Sequence, residues 1–286
     1  MDATVNRALV RADDLLRISL AAVWLLEGLL PKIIFLGPAE IEAFTRTAPF
    51  LPMPAETLVP MLGAFEILLG LLLFLGILAL PVLWTMLGLL ACFSAILVVQ
   101  TPAVLLDPYG GVIKNLALLG ATGALIALRR GAQAPLLRLV HRIRWDVLNE
   151  FGADAIYQQH AHAARQVGLG QALQDFAETE REHASAGLDA LGRLGSRGPR
   201  LGGVVALIST AIGWMTARLG DRWMLRCDLL LERFAIRSYG RSAEQFAAWE
   251  EEVLASEFRL MAAAEEEHAR RLGDLIQGFQ RASGLD

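Results

Sequence analysis

A chain of 286 residues is long enough for two domains, and at 55% hydrophobic residues with a mean hydropathy of +0.45 it is too apolar for an ordinary soluble enzyme. The formal net charge of −4 leaves no basic footprint for nucleic acid, and Cys92 and Cys227 form neither a metal-binding spacing nor a disulfide framework. The apolar excess lies before Arg129 and most acidic residues after Asp146, so composition divides the chain into a membrane half and a half that faces water.

Four apolar stretches, at 15–37, 58–80, 82–101 and 112–128, each approach the length a helix needs to cross ~30 Å of hydrocarbon. The first lacks a small-residue cleavage site and is followed by further apolar runs, which does not suit a signal peptide. The segment 38–56, with Pro49, Pro52 and Pro54, is expected to be a long loop. Pro81 is expected to punctuate the second connection, and Asp107-Pro108-Tyr109-Gly110-Gly111 the third. Arg7, Arg11 and Arg17 precede the first stretch, and Arg129, Arg130, Arg138, Arg142 and Arg144 follow the last. The other side offers Lys32, Arg46 and Lys114. Positive residues mark the inner face. This predicts a multi-pass protein of a bacterial-type inner (plasma) membrane, with both termini and the second half in the cytoplasm. The stretch 129–144 reads as a basic interfacial linker.

Glu27, Lys32, Glu66 and Lys114 lie within the apolar stretches, where a charge costs about 2.5–3.5 kcal/mol on insertion scales. Two readings stand side by side. Glu27, Lys32 and Glu66 form a polar pocket for a quinone-like head group, or the charges are ion pairs and snorkelling side chains that fix helix packing. The run Trp24-Leu25-Leu26-Glu27-Gly28-Leu29-Leu30-Pro31-Lys32, with Pro38-Ala39-Glu40 and Gly63-Ala64-Phe65-Glu66, resembles the DoxX-like family of small four-helix membrane proteins. That resemblance implies a four-helix transmembrane bundle and hints at quinone.

The second half contains an internal repeat. A lone Glu is followed some thirty residues on by Glu-x-x-His, first as Glu150 with Glu180 and His183, then as Glu232 with Glu265 and His268. The copies are offset by 82, 85 and 85 positions. Chance is a poor account, because His141, His160 and His162 have no Glu three positions earlier, while both remaining histidines do. Residues three apart share a helix face, so four helices can aim four carboxylates and two imidazoles at one point, the ligand set of a di-iron carboxylate bundle. Glu232 stands among Leu229, Leu230, Leu231, Phe234 and Ala235, where a charge must be paired or metal-bound. Tyr157 and Tyr239 each follow a lone Glu by seven residues. Each is read either as a hydrogen-bond donor behind the ligands or as a core aromatic with a satisfied hydroxyl. His160 and His162 are expected to face solvent. Between the repeats, Leu201 to Met215 is almost long enough to span. A single crossing there would put the two halves of the ligand set on opposite sides of the membrane, so it is expected to lie along the surface, dip in as a hairpin at about 199–219, or pack on the bundle. Six arginines flank it, at 193, 197, 200, 218, 222 and 226, as suits a surface that meets anionic lipid.

The run Glu150-Phe151-Gly152-Ala153-Asp154-Ala155-Ile156-Tyr157, then Glu180-Arg181-Glu182-His183, Ala211-Ile212-Gly213-Trp214, Leu219-Gly220-Asp221, Glu232 and Glu265-Glu266-Glu267-His268 resembles the demethoxyubiquinone hydroxylase family over about 145–275. The resemblance implies a ferritin-like bundle in which two Fe ions use O₂ to hydroxylate a demethoxy-quinone. Glu150, Glu180, His183, Glu232, Glu265 and His268 are then the ligands, with Glu180 and Glu265 as bridges. It also implies an external reductant, with NADH the candidate. Where many members carry two His before the second Tyr, this chain has Arg237 and Ser238. The expected architecture is all-α: a four-helix transmembrane domain over 1–128, the linker 129–144, and a ferritin-like di-iron domain over 145–286. Expected partners are a membrane quinone, the bilayer, and a homo-oligomer or ubiquinone-biosynthesis complex. Two rivals stay open: a di-iron oxidoreductase acting on another lipid or on peroxide, and a non-catalytic quinone- or iron-binding accessory protein.

Overall fold

A computed structural model describes residues 3–47, 53–100, 102–106 and 111–282. The predicted breakers Pro49 and Pro52, and the turn 107–110, lie outside these residues. Among the described residues there are ten α-helices and no strand. The chain divides into two compact units, one of residues 8–137 and one of residues 138–286 with the first seven.

In the first unit, α1 (Ala3–Leu29) runs into a π-helical turn (Leu30–Ile34), followed by α2 (Pro38–Thr47), α3 (Ala55–Leu75), α4 (Ala79–Gln100), a 3-10 turn (Pro102–Leu106) and α5 (Gly111–Arg130). The leucine-rich runs make α3, α4 and α5 apolar on most faces. All three are long and apolar enough to cross a membrane, over Ala55–Leu75, Ala79–Val99 and Val112–Arg130. Helix α1 is more polar, with Asp13, Asp14 and Arg17 ahead of its apolar part, yet it joins the same core. Leu20, Ala21 and Trp24 pack with Leu69, Leu73, Leu83, Met86 and Leu125. Arg129 donates two hydrogen bonds of 2.8 Å to Asp13, tying α5 to α1.

Two connections differ from expectation. Part of the loop over 38–56 is helix α2, and Pro81 does not make the turn before α4. The chain reverses at Gly76 and Leu78, both with positive φ, while Pro81 sits in the first turn of α4, where its missing N–H has no helical partner to lose.

The second unit comprises α6 (Ala134–Ala163), α7 (Val167–Arg193), α8 (Gly202–Arg218), α9 (Asp221–Ala247) and α10 (Glu252–Ala282). The predicted linker 129–144 is mostly the first third of α6, in which Leu139, Val140, Ile143 and Val147 recur at helical spacing and are buried. The predicted hairpin at 199–219 is also replaced, by the continuous 17-residue helix α8. No breaker interrupts it before Gly220, whose φ of +96° is open to glycine at little cost and turns the chain into α9. Gly213 inside α8 lets it lie close on α6, since a Cβ there would be 3.2 Å from the Ile156 Cα.

Candidate metal centre

Four helices each deliver part of one buried cluster: α6 Glu150, α7 Glu180 and His183, α9 Glu232, and α10 Glu265 and His268. On α9 the buried positions are Met224, Leu225, Asp228, Glu232, Tyr239, Ser242, Ala243 and Phe246. This is a helical stripe in which acids stand at core positions, so helix geometry itself carries the carboxylates inward. All six residues predicted from the repeat come together. Their ligand atoms form two groups, each within 4.8 Å: Glu150, Glu180, His183 and Glu265, and then Glu180, Glu232, Glu265 and His268. Glu180 and Glu265 belong to both.

The cluster is incomplete as a hydrogen-bonded network. His183 Nδ1 lies 2.7 Å from Glu265 Oε1, and His268 Nδ1 lies 3.5, 3.6 and 3.4 Å from oxygens of Glu180, Glu232 and Glu265. Among the described residues, neither nitrogen has an aligned hydrogen-bond partner, nor do Glu150 Oε2, Glu180 Oε1, Glu232 Oε2 or either oxygen of Glu265. These donor atoms lie within 4.8 Å of one another in each group. Each unpaired buried group costs about 1–3 kcal/mol, and a coordinated cation removes that cost, so the donor set fits metal ions. Carboxylate and imidazole donors suit iron, manganese or zinc.

Charge crowding acts in the same direction. Burial, with the neighbouring carboxylates, pushes Glu150 well up, Glu180 to about 7 and Glu232 to about 8. Burial opposes ionisation of Glu265 as well, but the flanking imidazoles hold it below the usual carboxylate range. Burial disfavours a charged His268, yet the three carboxylates around it raise it to about 11. The cluster retains protons that a dication would displace.

The repeat extends behind the ligands. The Tyr157 hydroxyl donates to Glu232 and the Tyr239 hydroxyl to Glu150, so each tyrosine of one copy holds the lone Glu of the other. Burial, reinforced by those carboxylates, pushes both phenols well up, which keeps them donors.

One helical turn before each lone Glu stands a buried aspartate that sequence reasoning missed. Asp146 accepts hydrogen bonds from Ser238 and, at 3.4 Å, from Ser242, and burial pushes it up to about 6. Asp228 accepts from His160 Nδ1 at 2.8 Å, while His160 Nε2 lies 2.6 Å from the Thr216 hydroxyl of α8. His160 is fully buried rather than facing solvent, because it stands three residues after Tyr157 on the inward face of α6. His162 is exposed as expected. The signal was present, since Asp146 and Asp228 share the offset of 82 that relates Glu150 to Glu232.

Of the three membrane residues predicted to make a polar pocket, two meet. Lys32 Nζ is 2.9 Å from Glu66 Oε2 in a buried ion pair and donates to the Glu27 carbonyl at 3.2 Å. The Glu27 side chain is exposed. The pair sits where α1 and α3 approach through glycine, for a Cβ on Gly28 would be 2.5 Å from the Gly63 oxygen.

A cavity of about 110 Å³ adjoins the cluster, reached by Glu150, Glu180, Glu232 and Glu265 and walled by α6, α8 and α9. Phe234, on its wall, is 59% exposed, so the cavity reaches the surface there. Around it the outer faces of α8 and α9 are apolar, with Leu207, Ile208, Met215 and Leu230 exposed. Arg218 and Arg226 lie over the rings of Trp214 and Trp223 at 3.7 and 5.5 Å. A larger groove of about 530 Å³, lined by residues of α9 and α10 such as Gly240, Ala247 and Arg259, shares no residue with the cluster.

An all-α chain whose second unit is a ferritin-like bundle around a buried carboxylate–imidazole cluster defines the class. Comparison with known families then places the halves: residues 21–123 match the DoxX-like family, and residues 138–273 match the family of ubiquinone biosynthesis protein COQ7. The chain joins a DoxX-like domain to a COQ7 domain. With its three apolar helices, it is a membrane protein, and the second match supports a hydroxylase role in ubiquinone biosynthesis. No curated protein and no solved structure matches it.

Proposed function

We propose that this chain is a membrane-bound di-iron monooxygenase that hydroxylates a quinone ring of the demethoxyubiquinone type. The observation that carries this reading is the pair of four-residue donor groups sharing Glu180 and Glu265, a donor set that would hold two ions. Glu150 and His183 complete one ion's set, and Glu232 and His268 the other's. Iron, when bound, supplies O₂ activation and the redox change. With O₂ as co-substrate, an external reductant, NADH being the candidate, supplies two electrons, so one oxygen atom enters the ring and the other leaves as water.

The protein's own residues orient and exclude. Tyr157 and Tyr239 fix the rotamers of Glu232 and Glu150. The cavity behind Phe234 takes the ring out of water. The apolar α8–α9 face, with its arginine–tryptophan pairs, lies against lipid and receives a lipid-soluble substrate. In this reading the chain comprises a transmembrane domain to residue 128 and a cytoplasmic di-iron domain from 145, in a bacterial-type inner membrane, following the arginine bias.

The test is the quinone profile, by liquid chromatography and mass spectrometry, of a bacterial strain lacking its demethoxyubiquinone hydroxylase and expressing this chain. Mature ubiquinone is expected with the wild type and none with Glu180→Ala. Persistence of the precursor alongside folded, iron-loaded protein would remove the substrate assignment and leave the metal site.

A further inference from the structure

The cavity beside the carboxylates contains a hydroxyl with no structural task. Ser209 of α8 is 8% exposed and lines that cavity with Gly152, Ile156, Val205 and Phe234. Helical hydroxyls ordinarily bond back to their own helix, and its neighbours do so: Thr210 donates to the Ala206 carbonyl at 2.8 Å and Thr216 to that of Ile212 at 2.9 Å. Ser209 has no hydrogen-bond partner among the described residues. The facing residue is glycine, and a Cβ at Gly152 would stand 2.8 Å from the Ser209 Oγ. The backbone is therefore bare where the hydroxyl needs room.

The dimensions limit what this hydroxyl can meet. A volume of about 110 Å³ is smaller than the ~150 Å³ apolar cavity that takes up benzene, so no more than one six-membered ring enters it. A long chain on that ring has to leave past Phe234. On the ring's other side stand the four carboxylates, and the apolar remainder of the lining favours a neutral ligand. Outside the carboxylate wall the lining is apolar apart from Asn149 and Ser209, so a ring oxygen has Ser209 Oγ–H as a neutral donor inside the cavity.

We propose that Ser209 is a specificity-determining residue, donating a hydrogen bond to a carbonyl or hydroxyl oxygen of a neutral six-membered ring and thereby setting which ring carbon faces the carboxylates, with Gly152 keeping the space it needs. This rests on the quinone-hydroxylase reading of the same site.

The experiment uses the full chain in detergent at fixed micelle concentration, without metal. Tryptophan quenching follows binding of a decyl-substituted 1,4-benzoquinone, and decylbenzene, which lacks ring oxygens, serves as competitor. Ser209→Ala is expected to weaken quinone binding about 3- to 10-fold, the range of one neutral hydrogen bond, and to leave the decylbenzene competition constant unchanged. Gly152→Ala is expected to weaken the quinone similarly in the wild-type background and by less than about twofold in the Ser209→Ala background. Unchanged quinone affinity in Ser209→Ala overturns the proposal, and so does equal weakening of both ligands, which marks a packing role. If the wild type binds neither ligand, the quinone reading falls too. If it restores ubiquinone while Ser209→Ala binds quinone normally, only the role of Ser209 falls.

Discussion

In the membrane-type unit, Lys32 and Glu66 form an ion pair at 2.9 Å, so the charge of this pair is balanced within the chain. In the helical bundle, four carboxylates and two imidazoles crowd together with seven buried donor or acceptor atoms lacking a hydrogen-bond partner among the described residues. Opposite charges in equal number balance each other. An excess of one sign, with several donor atoms facing one region, is a set that could hold an external cation. The difference teaches that burial of charge alone does not mark a functional site; what marks it is charge that the fold leaves unbalanced.

The sharpest way to break the contrast is Glu265→Ala. It removes a shared residue from the bundle cluster, and a loss of both bound metals and at least about 100-fold of activity is expected, read by metal content per chain and by turnover. Lys32→Met is expected to leave metal content unchanged but to destabilise the membrane-type unit by about 3–5 kcal/mol, because it leaves Glu66 unpaired. Lys32→Met with Glu66→Met should restore most of that loss, as thermal unfolding in detergent would show. Metal loss in the Lys32 variant would contradict the independence of this pair from the metal cluster.

Asp146 gives a pH-dependent test behind the cluster. Burial raises it from 3.8 to about 6, against the opposing hydroxyls of Ser238 and Ser242 and the nearby Arg142. A carboxyl whose pKa rises on folding favours the folded state when protonated, so its contribution is complete below about pH 4 and is lost as pH rises through about 6. Relative to Asp146→Asn, the wild type is expected to lose about 2 kcal/mol between pH 4 and pH 7, seen as diverging unfolding midpoints. The smallest expected effect is that of Tyr157→Phe, which takes the hydroxyl donor from Glu232. About tenfold weaker metal binding is expected, with Tyr239→Phe giving the same on Glu150, measured by competition with a chelator. Unequal losses would show that the two copies hold their ions differently, as Asp228 with His160 against Asp146 with two serines already suggests.

Much of this was legible in the chain, because helices translate spacing into direction. Glu-x-x-His places both side chains on one face whatever the surroundings, and the repeat offset of 82 in the lone acids announced two equivalent halves. Ser209 and His160 were not legible. A serine in an apolar helix looks like any other, and a histidine past the ligand turn reads as exposed until the partner helices are in place. Asp228 and Thr216 come from α9 and α8, and a one-dimensional pattern cannot say which helices touch. The same holds for α8, whose sequence is compatible with a dip into the membrane or with packing on the bundle.

The sequence by itself determined the all-α class, the division into an apolar and an acidic half, and the six candidate ligands, because composition and the 3.6-residue period act locally. Only the tertiary structure decided that Lys32 answers Glu66 while Glu27 stays exposed, that each tyrosine serves the opposite repeat, and that Gly152 leaves room for Ser209. Those outcomes depend on how closely two helices approach, and that distance is set by packing between residues far apart in the chain.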